Sequence, residues 1–564
     1  MPQMNETILQ SSHSRLKIFL KRGDQNTRLW AGLFVILFLL SGILTLHNYG
    51  LTWDEGLGNL FFGERYFRYL TSFSREYLDF NADLKHLSNY PLHLYLSPFH
   101  DRPNEFPPLA DTLSAATMYL FAYRLKWLNP IDGFHLFTVF LAAIFLWVVF
   151  RFVEFRLGKF TALMAIFFLG TFPRFWADMH FNVKDVPETI FFGLVIMAFW
   201  HWYERPAWHI ALGTGILMGC TLSIKANAIF IPLILLVCVL PLRLSPKAVK
   251  DTFVHFKKYL WHYAIMGVSS VSVYILSWPY LYTHTFLRLK SYWAYIFSQG
   301  SRNGGSHWNI DPLRQVLTTI PEFMLIAFGF GFLLVLRQVW RAKSPFWRLL
   351  LLWAIFPVLR ASLPGAVNFD GIRHFLEFVP AVAIIAGYGV SRIGSLFAHK
   401  QHLPKVTAQI GILILLIINL FQINRQYYPY LHLYYNEFTG GLAGARDKFL
   451  GMEASDYWAS SYRQGMEWLN QNAPTNSTVS GLIAPWIVEL SGSVLLRPDI
   501  HVISVLPDFS VMRQAQDPYY LMFILRDGGS SQDEIVYTRK RGELVHQINV
   551  DGVPILEIYR FGGN

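Results

Sequence analysis

The sequence is poor in charge. Only 15% of its 564 residues are Asp, Glu, Lys or Arg, whereas 53% are apolar; an average soluble chain has about 25% charged residues. The charge is missing from long runs, and a helix needs roughly 20 apolar residues to cross the ~30 Å hydrocarbon layer. These runs exclude a soluble protein, a disordered chain and an outer-membrane barrel, whose strands would be short and alternating. They predict a polytopic α-helical membrane protein.

Cysteine is also scarce. Cys220 and Cys238 both lie in apolar runs, so they are predicted to be small core residues rather than a disulfide or a metal site. The net charge of +11 does not imply a nucleic-acid partner, because a membrane protein carries Lys and Arg in its cytoplasmic loops. No cleavable signal peptide is predicted, because the first apolar run is long and follows a polar stretch.

Motifs that bind nucleotides are missing. The Gly158-Lys159 pair is followed by Phe160, so it is not a Walker A motif. No two aspartates are separated by one residue, and the Asp-x-Asp pair that holds a metal and a nucleotide sugar is therefore absent. The sequence argues against an ATP-driven pump and against an enzyme that uses a cytoplasmic nucleotide sugar. The inverted repeats common in transporters are not visible either.

The apolar runs predict the membrane topology. The first span, residues 29–47, follows a basic stretch and should begin in the cytoplasm. Residues 109–125 are apolar but short; if they crossed the bilayer, four later basic loops would lie outside. If they lie along the outer interface, or dip into the membrane and return on the same side, all four loops become cytoplasmic. This predicts eleven spans with a cytoplasmic N-terminus and an extracytoplasmic C-terminus. The other runs are 133–150, 160–173, 187–203, 208–223, 226–242, 260–280, 314–336, 349–362, 374–394 and 406–424.

Three regions follow from this topology. They are a cytoplasmic tail (1–28), a transmembrane domain (29–424) with a long first outer loop (49–132) that carries juxtamembrane helices, and an extracytoplasmic C-terminal domain (425–564). The last region is large enough for a small α/β domain. Its spacing predicts a helix at 457–470 and strands at 478–483, 501–505, 520–525, 534–537 and 555–559.

Polar residues at membrane depth or just outside it are costly and mark candidate sites. On the predicted topology they gather on the outer face, where carboxylates can act as a general base and cations can hold a phosphate. The candidate catalytic residues are Asp54, Glu55 and Asp185, and the candidate substrate-binding residues are Lys225, Arg373, His374, Lys184 and Arg174.

Each candidate also has a structural alternative. Asp54 and Glu55 could cap a helix N-terminus, and Asp185 stands two residues before Pro187, which suits a helix start. Lys225 could extend its ammonium group to the interface, and Arg373 could be a polar anchor. Their joint position on one face favours a site over four unrelated structural roles.

The order of these motifs resembles a known family. The pair Asp54-Glu55, the segment Pro107-Pro108-Leu109, and Asp185 are followed by Lys225 after a glycine-rich span (Gly213, Gly215, Gly219) and by Arg373 with Pro380. This order is similar to that of the membrane-embedded GT-C glycosyltransferases. The nearest branch contains the protein O-mannosyltransferases and the lipid A aminoarabinose transferases (glycosyltransferase family 39-like). The resemblance covers roughly residues 29–424, and Phe106 stands where the family often has His.

The resemblance implies transfer of a sugar from a polyprenyl-phosphate-linked donor to a protein, lipid or surface-glycan acceptor. It implies an inverting single displacement on the extracytoplasmic face of a bacterial or archaeal plasma membrane. Asp54 would take the proton of the acceptor hydroxyl, while Lys225 and Arg373 would stabilise the leaving phosphate. Asp185, with Glu55, would orient donor or acceptor.

Two other functions stay open at this point: a transporter or flippase of lipid-linked sugars, and an oligosaccharide ligase that uses a pyrophosphate-linked donor. Alternating access would need charges on both faces, whereas the candidates lie on one. Carboxylates outside the membrane suit Mg²⁺ or Mn²⁺, but no spacing demands a metal. The sequence therefore predicts no cofactor and assigns no metal ligands, and it leaves the need for a divalent metal open.

Overall fold

The computed structural model describes residues 27–79, 107–240, 246–303, 305–342, 344–400, 405–448, 454–504, 508–526 and 532–563. The predicted tail 1–28 lies almost wholly outside these ranges, as does Phe106. Helices dominate up to residue 427, and a mixed helix and sheet region follows. A polytopic helical membrane protein with a small C-terminal α/β domain is therefore confirmed.

The described first part of the chain is built from helices, most of which lie in the apolar runs. They are α1 Thr27–Thr45, α2 Leu60–Ser72, α3 Leu109–Met118, α4 Pro130–Leu157, α5 Lys159–Gly170, α6 Pro173–Asp178, α7 Asp185–Glu204, α8 Trp208–Leu222, α9 Ile231–Val239, α10 Pro246–Lys258, α11 Leu260–Leu276, α12 Thr285–Asn303, α13 Asp311–Thr319, α14 Glu322–Ala342, α15 Pro345–Ala361, α16 Val379–Lys400 and α17 Lys405–Tyr427. Short 3-10 or π turns lie at Leu46–Asn48, Glu55–Asn59, Arg75–Leu78, Tyr119–Arg124, Ala226–Phe230, Pro279–Tyr282, Arg373–Phe378 and Leu431–Leu433.

Several of these helices meet the length and hydropathy that a membrane span needs. In the described ranges they number five, or six if the bent pair α10 and α11 counts as one span: Thr27–Asn48, Pro130–Leu157, Glu322–Arg341, Arg373–Leu396 and Gln409–Tyr427. Three shorter apolar helices accompany them. The total of eleven spans and the orientation of the termini stay predictions.

Two apolar runs depart from a simple span. Residues 109–125 form the ten-residue α3 and a six-residue π turn, shorter than the roughly 20 residues a span needs. The predicted span 314–336 begins too early, because the chain breaks into α13 and α14 and the candidate span is Glu322–Arg341. Ile320, which precedes Pro321, adopts an extended conformation with ψ 130°; proline disfavours a helical conformation in the residue before it.

The C-terminal region contains a five-stranded sheet of order β2-β1-β3-β5-β4. Strand β1 pairs in parallel with β2 and β3, whereas β5 pairs antiparallel with β3 and β4. The elements are α18 Gly441–Lys448, α19 Tyr462–Asn472, β1 Thr478–Gly481, α20 Pro485–Leu495, β2 His501–Val502, α21 Phe509–Gln514, β3 Tyr519–Ile524, α22 Gln532–Arg541, β4 Glu543–Val550 and β5 Val553–Phe561.

One predicted strand is wrong and another was missed. Residues 534–537 lie within the helix α22, which has Asp533 in its first turn and Arg541 in its last; such charges favour a helix through its dipole. Strand β4 was not predicted, although Asp551-Gly552, both with positive φ, join it to β5. Two such residues are typical of a tight hairpin turn.

The apolar core extends across both parts of the chain. One buried cluster joins residues of the C-terminal sheet to Leu51, Leu60, Met118 and Phe134 from the first loop and α4. The C-terminal domain therefore packs directly on the segment that follows α1. The domain boundary at residue 425 stays a prediction.

Candidate active site

Asp54 lies where the C-terminal domain meets the segment after α1. The backbone N–H of Trp53 donates to the carbonyl oxygen of Trp458 at 3.0 Å, which fixes the chain just before Asp54. The Asp54 carboxylate accepts from Arg373 Nη1 at 2.5 Å and keeps 35% of its side chain exposed. In the described structure it makes no capping hydrogen bond to the turn that follows. Asp54 is therefore an open carboxylate held by an arginine, and the helix-cap alternative is wrong.

Glu55 is enclosed instead. The backbone N–H and hydroxyl of Thr52 both donate to Glu55 Oε2 at 2.8 Å, and His135 Nε2 lies 2.9 Å from Oε1. Only 1% of the residue is exposed. These contacts tie the turn that carries Asp54 to α4, so Glu55 supports the site from behind rather than facing a substrate.

Asp185 begins α7 and is held from two sides. The amide of Asn182 donates to Asp185 Oδ2 at 2.9 Å, and the Asn182 side-chain oxygen accepts from the Asp185 backbone N–H at 2.8 Å. Lys225 Nζ pairs with Asp185 Oδ1 at 2.5 Å, and Arg373 Nη1 lies 4.0 Å from Oδ2. Asp185 thus brings the two predicted phosphate cations together.

Arg373 is the centre of the cluster. Besides Asp54, it contacts Asp370 Oδ2 through Nη2 at 3.0 Å. Its guanidinium carbon lies 4.7 Å from the centre of the Trp458 ring and 5.1 Å from that of Phe369. Aromatic faces attract a guanidinium at such distances. Arg373 is therefore shared by several carboxylates, and two aromatic rings pack against its guanidinium.

A backbone network fixes the turns that carry Lys225 and Arg373. Asn227, two residues after Lys225, donates to the carbonyl oxygen of His374 at 3.1 Å and to Glu377 Oε1 at 3.0 Å. Arg360 of α15 donates to the same carbonyl at 2.6 Å. The His374 imidazole packs on Phe369, with ring centres 4.6 Å apart. The structure thus places the backbone of His374 in the support of the cluster.

The predicted substrate residue Lys184 is engaged elsewhere. Its Nζ pairs with Asp111 Oδ2 at 2.5 Å and donates to the Pro107 carbonyl oxygen at 2.6 Å. Burial raises the pKa of Asp111 to about 6, although the nearby Lys184 lowers it. Lys184 therefore fastens the start of α3 to the loop before α7, and it is not one of the cations around Asp185.

Arg174 is also enclosed. Its Nη1 donates to the Tyr457 hydroxyl at 3.1 Å, and its guanidinium lies over the Tyr435 ring at 5.2 Å. A Cβ atom at Gly371, whose φ is +72°, would lie 2.1 Å from Arg174 Nη1. Burial raises the pKa of the neighbouring Asp178 to about 7. Arg174 thus supports the turn before Arg373 from behind, and the prediction that it contacts substrate has no geometric support.

Asp370 and Arg526 are members of the cluster that sequence reasoning missed. Asp370 lies three residues before Arg373, and its other oxygen meets Arg526 Nη2 from the C-terminal domain at 3.3 Å. Burial raises the pKa of Asp370, while Arg373 and Arg526 lower it. The Asp370-Gly371 sequence, with φ values of +58° and +72°, was the available signal for a special turn. Arg526 offered no local signal.

The six charges of this cluster balance. The carboxylates are Asp54, Asp185 and Asp370, and the cations are Lys225, Arg373 and Arg526. We call these six residues the charge cluster. A phosphodiester that entered it would add one negative charge, so it would compete with a carboxylate for a cation. In the described ranges, no three His, Cys, Asp or Glu side chains are arranged to hold a metal ion.

The fold and the charge cluster together define a membrane protein with the GT-C fold, as expected. Solved structures with this architecture include ArnT from Cupriavidus metallidurans bound to undecaprenyl phosphate, which is 14% identical with a TM-score of 0.50 over 94% of this chain and 98% of that one. An oligosaccharyltransferase from Archaeoglobus fulgidus matches at 12% identity and a TM-score of 0.44, over 86% and 66% of the two chains. The arabinofuranosyltransferase AftD from Mycobacteria matches at 14% and 0.40, over 95% and 40%.

By sequence, no family model and no curated protein matches this chain. The similarity to ArnT therefore rests on the fold, at low identity. The branch of GT-C proteins to which this chain is nearest stays a prediction.

Proposed function

We propose that this protein is an integral-membrane glycosyltransferase that moves a sugar from a polyprenyl-phosphate-linked donor to an acceptor hydroxyl. The observation that carries the proposal is the open carboxylate of Asp54, 2.5 Å from Arg373 in a cluster that also contains Asp185 and Lys225. A fold similar to that of ArnT bound to undecaprenyl phosphate supports a lipid-phosphate donor. The acceptor is a protein, a lipid or a surface glycan.

The proposed reaction is a single displacement. Asp54 takes the proton of the acceptor hydroxyl as its oxygen attacks the anomeric carbon. The bond between that carbon and the phosphate oxygen breaks, and the polyprenyl phosphate leaves with the bonding electrons, so the configuration inverts. General base catalysis contributes roughly 10²–10⁴ in rate. Arg373 and Lys225 supply cations where the phosphate gains charge, which is the other large contribution.

The charge balance implies an order of binding. A donor phosphate that binds Arg373 closely would compete with its carboxylate partners for the same positive charge. Asp54 is the partner with the most exposed side chain, 35% against 5% for Asp370 and 4% for Asp185, so it is the most easily displaced. Donor binding would then free Asp54 to act as the base, and the acceptor would react only after the donor is bound.

We also propose that the reaction needs no divalent metal. Arg373 and Lys225, the cations proposed to hold the phosphate, lie 2.5 Å from Asp54 and Asp185 respectively. Those cations already supply the positive charge that a metal would bring to the leaving phosphate. Transfer should therefore continue at an unchanged rate after the protein is dialysed against EDTA, with a metal-dependent glycosyltransferase as the positive control. Loss of transfer that Mg²⁺ or Mn²⁺ restores would contradict this proposal.

The proposed setting is a bacterial or archaeal plasma membrane, with the charge cluster and the C-terminal domain on the extracytoplasmic side. The experiment is a mass comparison of cell-surface glycans and lipids from cells with the protein, without it, and with Asp54→Asn. We expect a sugar that is present only with the wild-type protein. Identical material in all three strains would contradict the proposed function. Transfer of a whole glycan with release of a polyprenyl pyrophosphate would indicate the ligase instead.

A further inference from the structure

The C-terminal domain reaches the charge cluster through Arg526. This residue lies two positions after the end of β3, and only 12% of its side chain is exposed. Nη1 donates to the carbonyl oxygen of Tyr457 at 2.8 Å, and the guanidinium carbon lies 4.5 Å from the centre of the Trp53 ring. Trp53 immediately precedes Asp54 and packs edge-on against Trp486 of α20, with ring centres 5.4 Å apart. Arg526 is therefore held firmly beside the segment that carries the proposed base.

Asp370 is divided between two arginines. Its Oδ2 accepts from Arg373 Nη2 at 3.0 Å, and its Oδ1 meets Arg526 Nη2 at 3.3 Å. If Arg526 were absent, both oxygens of Asp370 would be available to Arg373. A carboxylate and a guanidinium readily form two parallel hydrogen bonds. Such a pairing would turn Arg373 toward Asp370 and away from Asp54 and the donor phosphate.

We propose that Arg526 is a positioning residue for the reaction. By occupying one oxygen of Asp370, it keeps Arg373 shared between Asp370 and Asp54, so that a phosphate can reach the guanidinium by displacing Asp54. The inference rests on the proposed function and gives the C-terminal domain a part in it, because the active site is incomplete without this domain. Arg526 acts through Asp370 and Arg373 and does not itself touch the reacting atoms.

The chain offers a matched control. Arg539 also belongs to the C-terminal domain, lies 3.3 Å from a carboxylate of Glu557, and stands over the ring of Phe523 at 5.3 Å. Its pair lies within the domain and does not touch the charge cluster. Arg526→Gln and Arg539→Gln therefore remove the same kind of interaction, and only the first should alter how Arg373 is held.

The test measures binding of undecaprenyl phosphate to the purified full-length protein in detergent. We expect Arg526→Gln to weaken binding roughly tenfold, because Arg373, which binds the phosphate, would be drawn toward Asp370. We expect Arg539→Gln to leave binding unchanged. We expect Asp370→Asn in the Arg526→Gln background to restore binding to within about threefold of wild type, because the competing charge is gone. Thermal unfolding of all variants shows whether any loss comes from misfolding.

Two results would overturn the inference: Arg526→Gln that binds as tightly as Arg539→Gln, or a double variant that binds no better than Arg526→Gln. A role in structure alone predicts the second result, because Asp370→Asn removes a further contact without restoring any. The failure of the proposed function would look different, since the wild-type protein itself would then neither bind undecaprenyl phosphate nor modify cell-surface material. That outcome would remove the inference with it.

Discussion

Two arginines of the C-terminal domain contact acidic residues of the first part, and the contacts differ in kind. Arg463 of α19 pairs with Asp132 at 2.5 Å and donates to the Tyr49 carbonyl oxygen at 3.1 Å. Asp132 is also held by Asn129 at the start of α4. Both members of the Arg463–Asp132 pair are buried, with 5% and 6% of their side chains exposed. Arg526, in contrast, joins a cluster in which Arg373 is shared and Asp54 stays open.

The difference separates a structural contact from a candidate site. A closed pair satisfies its own charges and has no vacant position for a ligand. In the charge cluster Arg373 is shared by several carboxylates, of which Asp54 is the most exposed, so an incoming anion can change its pairing. The Arg463 contact should therefore determine how firmly the domain docks, whereas the cluster should determine activity.

The largest expected effect is that of Asp54→Asn, which tests whether the charge cluster determines activity. Loss of the base should lower sugar transfer by roughly 10²–10⁴, while insertion and thermal stability remain as in wild type because the side chain is partly exposed. The measurement is the amount of modified cell-surface material in cells that express the variant. Asp517→Asn, on an exposed turn of the C-terminal domain, is the control. Normal transfer by Asp54→Asn would remove Asp54 as the base.

Arg463→Gln is expected to have the opposite effect to Asp54→Asn: it should lower stability and leave ligand binding unchanged. Removing one partner of a buried ion pair costs about 3–5 kcal/mol, because the other charge stays buried. The variant should unfold at a markedly lower temperature than wild type, and the protein that remains folded should bind undecaprenyl phosphate normally. Thermal unfolding of purified protein measures the first effect and ligand binding the second. Arg539→Gln, which breaks a more exposed pair, should change stability little. A stable Arg463→Gln variant with impaired binding would reverse the assignment of the two contacts.

A smaller effect concerns the pH dependence of stability. The pKa of Asp111 is raised to about 6 in the folded protein, above its ordinary value, so its contribution to stability is full at low pH and is lost as the pH rises through about 6. Wild-type thermal stability should therefore fall between pH 4 and pH 7 by more than that of Asp111→Asn. The measurement is the unfolding temperature of both proteins across this range. Parallel curves would show that Asp111 titrates normally.

The sequence was most informative where a charge stands at the end of an apolar run. Asp54, Asp185, Lys225 and Arg373 could be found in this way, because a charge there is costly and must have a partner or a function. Asp370 lies in a short loop between two helical segments, where a charge is ordinary. Arg526 follows a strand of another domain. Only the tertiary fold brings these two to the others.

The same limit explains which predicted roles changed. Glu55, Lys184 and Arg174 stand beside site residues in the sequence, but the fold turns them toward His135, Asp111 and Tyr457. Hydropathy located most long helices, because apolar length is a strong signal. It failed at Pro321, where a local backbone restriction divided one run, and at residues 534–537, where β-prone side chains lie in a helix with charged ends.

The central claim is that Asp54 and the donor phosphate compete for Arg373. Its most direct test is the binding of undecaprenyl phosphate to wild-type protein and to Asp54→Asn, measured side by side at one pH and salt concentration. We expect the variant, although inactive, to bind several-fold more tightly, because the neutral amide no longer holds Arg373. Equal or weaker binding by Asp54→Asn would contradict it.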